Sequence, residues 1–363
     1  MSKDNDLAVS PTATPRPRPE AGTAPGTGGH LTDHAFFMRW SRRRSWQGLT
    51  IADRDEIPAV RPTSSALHHG QGVFDDLKAY RMADGTVSVF RPDSHIKRLN
   101  NGARRLALPL VDFDRVWHAI RRLVELDADW LPGEAGAALH LRAVLAGNGT
   151  TIKAGPAEES LFFVLAGPSA PEPADGPVRA MVVDGYIRAR PGGTGDINAV
   201  GNQAPGLVPR EIAANYGYDH VLWLGDGPQR LVQQIGAMNV FFVVDGVLTT
   251  PALDGTVLPG ITRDSIVKLA RDAGTTVAER PLELAEVLAG IGNGRITECF
   301  GTSTVDGVVS IGGIGFQAEE YRLPGGSAVA DHFRQLLDGL HRGELVDRFG
   351  WMRRLTEVSP VHA

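Results

Sequence analysis

Three sets of side chains could carry chemistry. The first lies in the glycine-rich segment Gly192-Gly193-Thr194-Gly195-Asp196-Ile197-Asn198-Ala199-Val200-Gly201-Asn202-Gln203. Its central amide, Asn198, has a nitrogen lone pair delocalised into the carbonyl. That nitrogen forms no imine, so lysine-type covalent catalysis is closed at this position. The second is Gly260-Ile261-Thr262, which opens a predicted helix. Its backbone N–H groups and positive dipole end make an anion site from geometry alone, and the same residues also read as a plain helix cap. The third is the histidines. His68 and His69 are adjacent and, on a strand, would point to opposite faces, so they cannot share one metal ion. No metal-ligand spacing is found elsewhere, and no metal is expected. Cys299, the lone cysteine, sits in the strand-like run Ile296–Phe300 and reads as a small buried hydrophobe.

The elements that must position these groups are legible from periodicity. Leu77–Arg81 and Thr86–Phe90 read as strands joined at Asp84-Gly85. Asp93 or Ser94 is expected to cap a helix running to about Leu106, and Val116–Leu126 has helical spacing. Ala138–Leu145 and Leu161–Leu165 are strand-like. Further along, Val178–Val183, His220–Leu224, Val240–Val244 and Ile296–Phe300 read as strands. Helices are expected at Thr262–Ala273, with Thr262 as cap, and at Ala328–Leu340. Mixed strands and helices with hairpins predict an α+β protein.

Residues 1–29, rich in Pro, Ala, Thr and Gly, are expected as a disordered tail. An N-terminal α+β domain would span 30–172 and a C-terminal one 178–363. The stretch from Gly167 to Pro177 holds four prolines and suits irregular chain, with 173–177 as the interdomain connector. The 363 residues suffice for two domains, and 42% hydrophobic content supports real cores. A net charge of -5 without a basic stretch argues against a nucleic-acid partner. No apolar run reaches the roughly 18 residues a membrane span needs, so no membrane partner and a cytoplasmic location are expected.

The segment 192–203 resembles the catalytic segment of the branched-chain aminotransferases, roughly G-G-T-G-x-x-K-x-G-G-N-Y, pyridoxal phosphate (PLP) enzymes of fold type IV. Leu67-His68-His69-Gly70-Gln71-Gly72-Val73-Phe74-Asp75-Asp76-Leu77-Lys78-Ala79-Tyr80-Arg81 resembles that family's L-H-Y-G-Q-x-V-F-E-G-L-K-A-Y-R. Further matching blocks follow in family order: Val89–Pro92 with Arg98-Leu99, Tyr186–Ala189, Gly217–Asp219, Gly236–Asn239, Leu258–Asp264, Phe300–Ser303 and Gly350-Trp351. The resemblance implies two α+β domains with the cofactor cleft between them, usually in a homodimer.

It also implies roles. Arg98 matches the arginine that holds the PLP phosphate, and a guanidinium fork suits a phosphate. Without the resemblance, an arginine on a helix reads as a solvated surface charge. Ile261, Thr262 and Thr302 match the remaining phosphate contacts, so a residual phosphate or PLP site is retained. The Schiff-base lysine is replaced by Asn198, the tyrosine beside the cofactor by Gln203, and the glutamate that protonates the pyridine nitrogen by Gln234. These three losses lead to the expectation of no working cofactor.

By the same resemblance His69, Asp76, His140 and Arg142 stand at pocket positions and would converge near Asn198, Gln203 and Gln234. Histidine beside a carboxylate is suited to general acid–base work, although each histidine alone reads more often as a satisfied strand or turn residue, and Asp76 as an acceptor of backbone hydrogen bonds in its turn. The leading expectation is an enzyme that carries out a PLP-independent isomerisation, cyclisation or condensation on a small carbonyl metabolite in specialised metabolism. The alternatives are a non-catalytic ligand-binding protein and an aminotransferase holding PLP noncovalently.

Overall fold

The turn at Asp84-Gly85 shows how local sequence directs the chain. The Asp84 carboxylate accepts hydrogen bonds from the Thr86 backbone N–H (3.0 Å) and hydroxyl (2.6 Å). Gly85 takes φ +81°, a left-handed conformation in which a Cβ would be strained. The chain therefore reverses here and pairs the strands on either side. The computed structural model describes residues 7–20, 26–134, 136–170, 176–324 and 326–355. The chain divides into two units, one from residues 1–172 with 336–363, the other from 173–335.

The first unit is built on an eight-stranded sheet. Its strands are β1 (Ala8–Val9), β2 (His34–Ser41), β3 (Ser45–Asp53), β4 (Gly72–Arg81), β5 (Val87–Phe90), β6 (Ala138–Gly147), β7 (Glu159–Ser169) and the C-terminal strand Met352–Arg354. The order is β1-β3-β2-β7-β6-β4-β5 and then the C-terminal strand, antiparallel throughout except for β1 on β3. Three helices accompany it: α1 (Ser65–His69), α2 (Pro92–Arg105) and α3 (Phe113–Leu126). Asp112 caps α3 by accepting from Arg115 N at 3.0 Å, and Val116, Ile120, Leu123 and Val124 on its inner face are fully buried. They join Ile96 and Leu99 of α2 and the β4 and β6 residues Val73, Leu77, Leu139 and Leu141 in one apolar core. Burying each such side chain stabilises by roughly 1.5–3 kcal/mol before entropy is counted.

The second unit holds β8 (Val178–Met181), β9 (His220–Leu224), β10 (Val232–Ile235), β11 (Met238–Val244), β12 (Val247–Thr250), β13 (Val277–Glu279), β14 (Ile296–Ser303), β15 (Gly307–Phe316) and β16 (Glu319–Arg322). The order is β10-β9-β8-β15-β14-β11-β12-β13, with β16 on β15. An additional β10–β11 pairing closes six strands into a ring. The helices are α4 (Leu207–Asn215), α5 (Ile261–Asp272), α6 (Leu284–Gly292) and the first part of α7 (Ala328–His341), whose residues from Leu336 on belong to the first unit. Val287, Leu288 and Ile291 of α6 pack with Val240, Phe242 and Ile296. Strands and helices are mixed in both units, an α+β arrangement.

Several expectations need correction. Residues 7–20, placed in a disordered tail, pack in order on the sheet: β1 pairs with β3, and the Arg16 guanidinium donates to Asp53 and Asp55 at 2.7 Å each. The carboxylates supply what the tail's few apolar residues cannot. Residues 1–6 and 21–25 of that tail, and 173–175 of the expected connector, lie outside the described residues. Gly167–Ser169 continue β7, with Pro168 opposite Leu139. The boundary between units falls at 172/173, and residues 336–355, expected in the second domain, belong to the first; 356–363 lie outside the described residues. Neither Asp93 nor Ser94 caps α2, whose N-cap is Arg91 at φ +47°, with Pro92 next. Thr262 does not cap α5; Gly260 does, without a side-chain bond. His68 and His69 lie at the end of a short helix rather than on a strand.

Candidate functional site

Period-two alternation sends neighbouring aspartates of β4 to opposite faces, and each collects a histidine and an arginine. Asp76 lies directly opposite Arg142 in β6, and Lys78 opposite His140. Side chains one step of two apart share a face, so Asp76, His140 and Arg142 meet. His140 Nε2 is 2.7 Å from Asp76 Oδ1. Arg142 donates from Nε to Oδ1 at 2.8 Å and from Nη2 to Oδ2 at 3.0 Å. Burial opposes ionisation of Asp76, but the hydrogen bonds from His140 and Arg142 outweigh it and hold its carboxyl well below the usual range. The carboxylate is buried, while the Arg142 side chain is 46% exposed and lies over the Phe74 ring.

On the core face Asp75 is completely buried. It accepts Arg98 Nε and Nη2 at 2.8 Å each, and its Oδ1 lies 2.7 Å from His95 Nδ1. Burial drives His95 toward its neutral form against the pull of Asp75, whereas the Asp75 charge outweighs burial for Arg98 and raises its pKa. Arg98 is therefore no solvated surface charge: one edge of its fork is held by Asp75. Sequence reasoning missed Asp75 and His95 as members of this set. A signal was present, because His95 and Arg98 are three apart on a helix and so share a face.

The second unit assembles a different row. Gln234 of β10, Asn239 of β11 and Thr302 of β14 stand in register across three strands, so their side chains share a face. All three are buried. The chain 258–262 crosses this face. Gln234 Oε1 accepts from Leu258 N at 3.0 Å, Asn239 Nδ2 donates to Leu258 O at 2.8 Å, and a Cβ at Gly260 would collide with Asn239 Oδ1. Ile261 and Thr262, both buried, then begin α5. Thr302 Oγ1 is sealed from solvent without a hydrogen-bond partner among the described residues. A buried orphan hydroxyl is costly, and beside a helix start that no side chain caps it is what a phosphate oxygen would satisfy. The residues of this unit therefore fit the phosphate of a PLP-type cofactor. For the pyridine nitrogen the fit is weaker: Gln234 Oε1 is already engaged, and its Nε2 makes only a long 3.5 Å contact to Met238 O.

Asn198 is half-buried in a braced loop. Asn202 Nδ2 donates to Thr194 O at 2.7 Å and Ile197 O at 3.1 Å, and Thr194 Oγ1 donates to Asn202 Oδ1 at 2.6 Å. Arg188 Nη1 donates to Gly195 O at 3.2 Å and Thr256 O at 2.9 Å, and burial pushes its pKa down to about 10. Two expected site residues are not brought into these groups. His69 is exposed on α1, 6.2 Å ring to ring from His68, and Gln203 is exposed at the end of a 3-10 turn. Among the described residues no cluster of histidine, cysteine or carboxylates suits a metal ion, and no helix is long and apolar enough to cross a membrane.

The fold and these groups define a class of protein that sequence comparison makes specific. The class IV amino-transferase family model matches residues 72–314, and the chain belongs to this family. The branched-chain-amino-acid aminotransferase of Mycobacterium tuberculosis (strain ATCC 25618 / H37Rv) is 36% identical over 357 residues, covering 96% of each chain. Among solved structures, the Escherichia coli branched-chain amino acid aminotransferase shares the fold at TM-score 0.73 and 23% identity, over 89% of this chain and 99% of that one. The branched-chain amino acid aminotransferase of Thermobaculum terrenum, solved in its PLP-bound holo form, gives 0.72 and 21% over 90% and 99%. These relatives overturn the expectation of a cofactor-free protein: a family of branched-chain aminotransferases, one solved with PLP, makes a cofactor expected.

Proposed function

We propose that this chain takes up a pyridoxal-phosphate-type cofactor without a covalent tether at residue 198 and works on small amino or oxo acids as a branched-chain aminotransferase-like protein. The observation that carries this reading is the unpartnered Thr302 hydroxyl in register with Asn239 and Gln234 beneath the start of α5. Thr302, Thr262 and the first backbone N–H groups of α5 would hold the phosphate, with the helix dipole adding to the attraction. The cofactor, when bound, supplies an electron sink for bonds at the substrate α-carbon. Gln234 offers its ring-facing partner an amide rather than a carboxylate, which supports a neutral pyridine nitrogen and a weaker sink. With Asn198 in place no lysine amine moves a proton there. In the first unit His140 donates its Nε2–H to Asp76, and its Nδ1 remains an acceptor. Small-molecule binding and a homodimer accompany this reading, and sedimentation velocity checks the latter.

Titration of the purified protein with pyridoxal 5'-phosphate and pyridoxamine 5'-phosphate tests the proposal. Saturable binding that dialyses away and leaves no protein-bound mass after borohydride reduction is expected. Thr302→Val should weaken it by about tenfold, the worth of one hydrogen bond to a charged group. Loading with pyridoxamine 5'-phosphate and adding a branched 2-oxo acid should release the amino acid. No saturable binding of either cofactor form, or a cofactor fixed to any lysine by borohydride, would sink the reading.

A further inference from the structure

We infer that residues 7–20 form a strap that His34 holds shut and that opens when His34 takes up a proton. This device belongs to the first unit and is independent of cofactor binding. The strap lies along the edge of the sheet. Ala8 and Val9 pair with Thr50 and Ile51 of β3, and Ser10 N donates to Ile51 O at 2.8 Å. From residue 12 onward the anchors are side chains. Thr12 Oγ1 donates to Asp53 Oδ2 at 2.6 Å, and Thr12 N donates to His34 Nε2 at 2.9 Å. Arg16 N donates to Asp33 Oδ1 at 2.8 Å, and the Arg16 guanidinium bonds Asp53 and Asp55 at 2.7 Å each.

The bond from Thr12 fixes the state of the ring. A backbone N–H only donates, so His34 Nε2 must present a lone pair and carry no proton. On the other side of the ring Nδ1 lies 2.6 Å from Asp127 Oδ1, and Asp127 Oδ2 accepts His34 N at 3.2 Å. Each nitrogen therefore has one role: Nδ1–H donates to Asp127, and Nε2 accepts from the strap. His34 is 6% exposed and Asp127 2%, so bulk water does not stand in for either partner. A proton on Nε2 turns the acceptor into a donor aimed at the Thr12 N–H, and two hydrogens cannot share that gap. The charged ring keeps Asp127 as its partner once the strap has left. The open form thus holds one proton more than the shut form, and falling pH favours opening by up to about tenfold per pH unit. Among the described residues, the charged groups around the ring are Asp127 at the end of α3, Asp33 beside it in the chain, Asp53 opposite it in β3 and Arg16 of the strap. Arg16 and Thr12 hold the Asp53 carboxyl well below the usual range, so it stays ionised while a histidine titrates. Opening bares the β3 edge at Thr50 and Ile51.

Amide hydrogen exchange of the full chain, read as protection factors at about pH 7.5 and about pH 5.5, brackets an ordinary histidine and tests the strap. The Ser10 and Thr12 amides should lose about tenfold in protection at the lower pH. Ile120 and Leu123 of α3 should stay the more protected at both pH values, which marks the opening as local. His34→Gln keeps an oxygen that can accept the Thr12 N–H and has no titrating nitrogen, so its strap should lose less than about twofold over the same interval. Thr12→Pro deletes the donor on the strap and serves if the glutamine variant does not fold; Ser10 should then lose its protection at the higher pH or its pH dependence. The strap is not held by His34 if Ser10 and Thr12 keep their protection at the lower pH, if His34→Gln loses as much as the unaltered chain, or if Ser10 in Thr12→Pro retains both protection and pH dependence. No cofactor enters the experiment, so its failure leaves the proposed function standing.

Discussion

Residue 198 is a carboxamide presented by a loop braced on both sides. Asn202 holds Thr194 O and Ile197 O, and the half-buried Arg188 guanidinium donates to Gly195 O and Thr256 O. Such bracing fixes a backbone position whatever side chain it carries. Asn198→Lys should therefore give a protein that retains pyridoxal 5'-phosphate covalently after borohydride reduction, seen as added intact mass mapped to residue 198, where the unaltered chain shows none. A lysine variant that folds and gains no mass would show that the loop does not aim residue 198 at the cofactor. The amides at 198, 203 and 234 were legible letter by letter. Where they point was not: Gln203 is exposed while Gln234 is buried and bonded to Leu258, a difference set by the close crossing of 258–262 over β10 and β11.

Elements were more legible than their ends. Periodicity located α3 and α5 and most strands, because the apolar faces that bury them repeat at 3.6 or 2 residues. The caps were misplaced at α2 and α5, since Arg91 and Gly260 begin those helices through backbone geometry and tertiary crowding rather than a side-chain oxygen. The Asp75–His95–Arg98 set was hidden for a related reason: it requires the register of α2 over β4, which no local window contains. That set ties helix to strand through the buried Asp75–Arg98 ion pair, so breaking and replacing it should differ. Asp75→Ala leaves the buried Arg98 without that carboxylate and should cost about 3–5 kcal/mol in urea unfolding. Asp75→Leu combined with Arg98→Met should recover most of the loss. If the double replacement is as unstable as the single, the pair is not the element that binds α2 to β4 energetically.

At the scale of the whole chain, the C-terminal return to the first unit sets a pH dependence. His341, at the end of α7, stacks on Tyr80 at 4.0 Å and meets Phe90 edge-on at 4.7 Å. Its Nε2 is sealed without a hydrogen-bond partner among the described residues. Burial, helped by the charge of Lys78, pushes its pKa from 6.5 down to about 3. The folded state thus refuses a proton that the unfolded chain accepts. Stability from this group is complete above pH 6.5 and is lost progressively as pH falls from 6.5 toward 3. His95, driven neutral by burial, acts with the same sign, while the depressed carboxyl of Asp76 loses its contribution only below its ordinary value of 3.8. Thermal unfolding between pH 7 and 5 should therefore show a falling midpoint before any carboxylate titrates. His341→Phe, which keeps the aromatic stack and removes the titrating nitrogen, should flatten that slope and narrow the gap by a few degrees, on the order of 1 kcal/mol for a chain of this size. An unchanged slope in His341→Phe would assign the acid sensitivity elsewhere, and His95 and His220 would be the next positions to replace, since burial holds both toward neutral against neighbouring carboxylates.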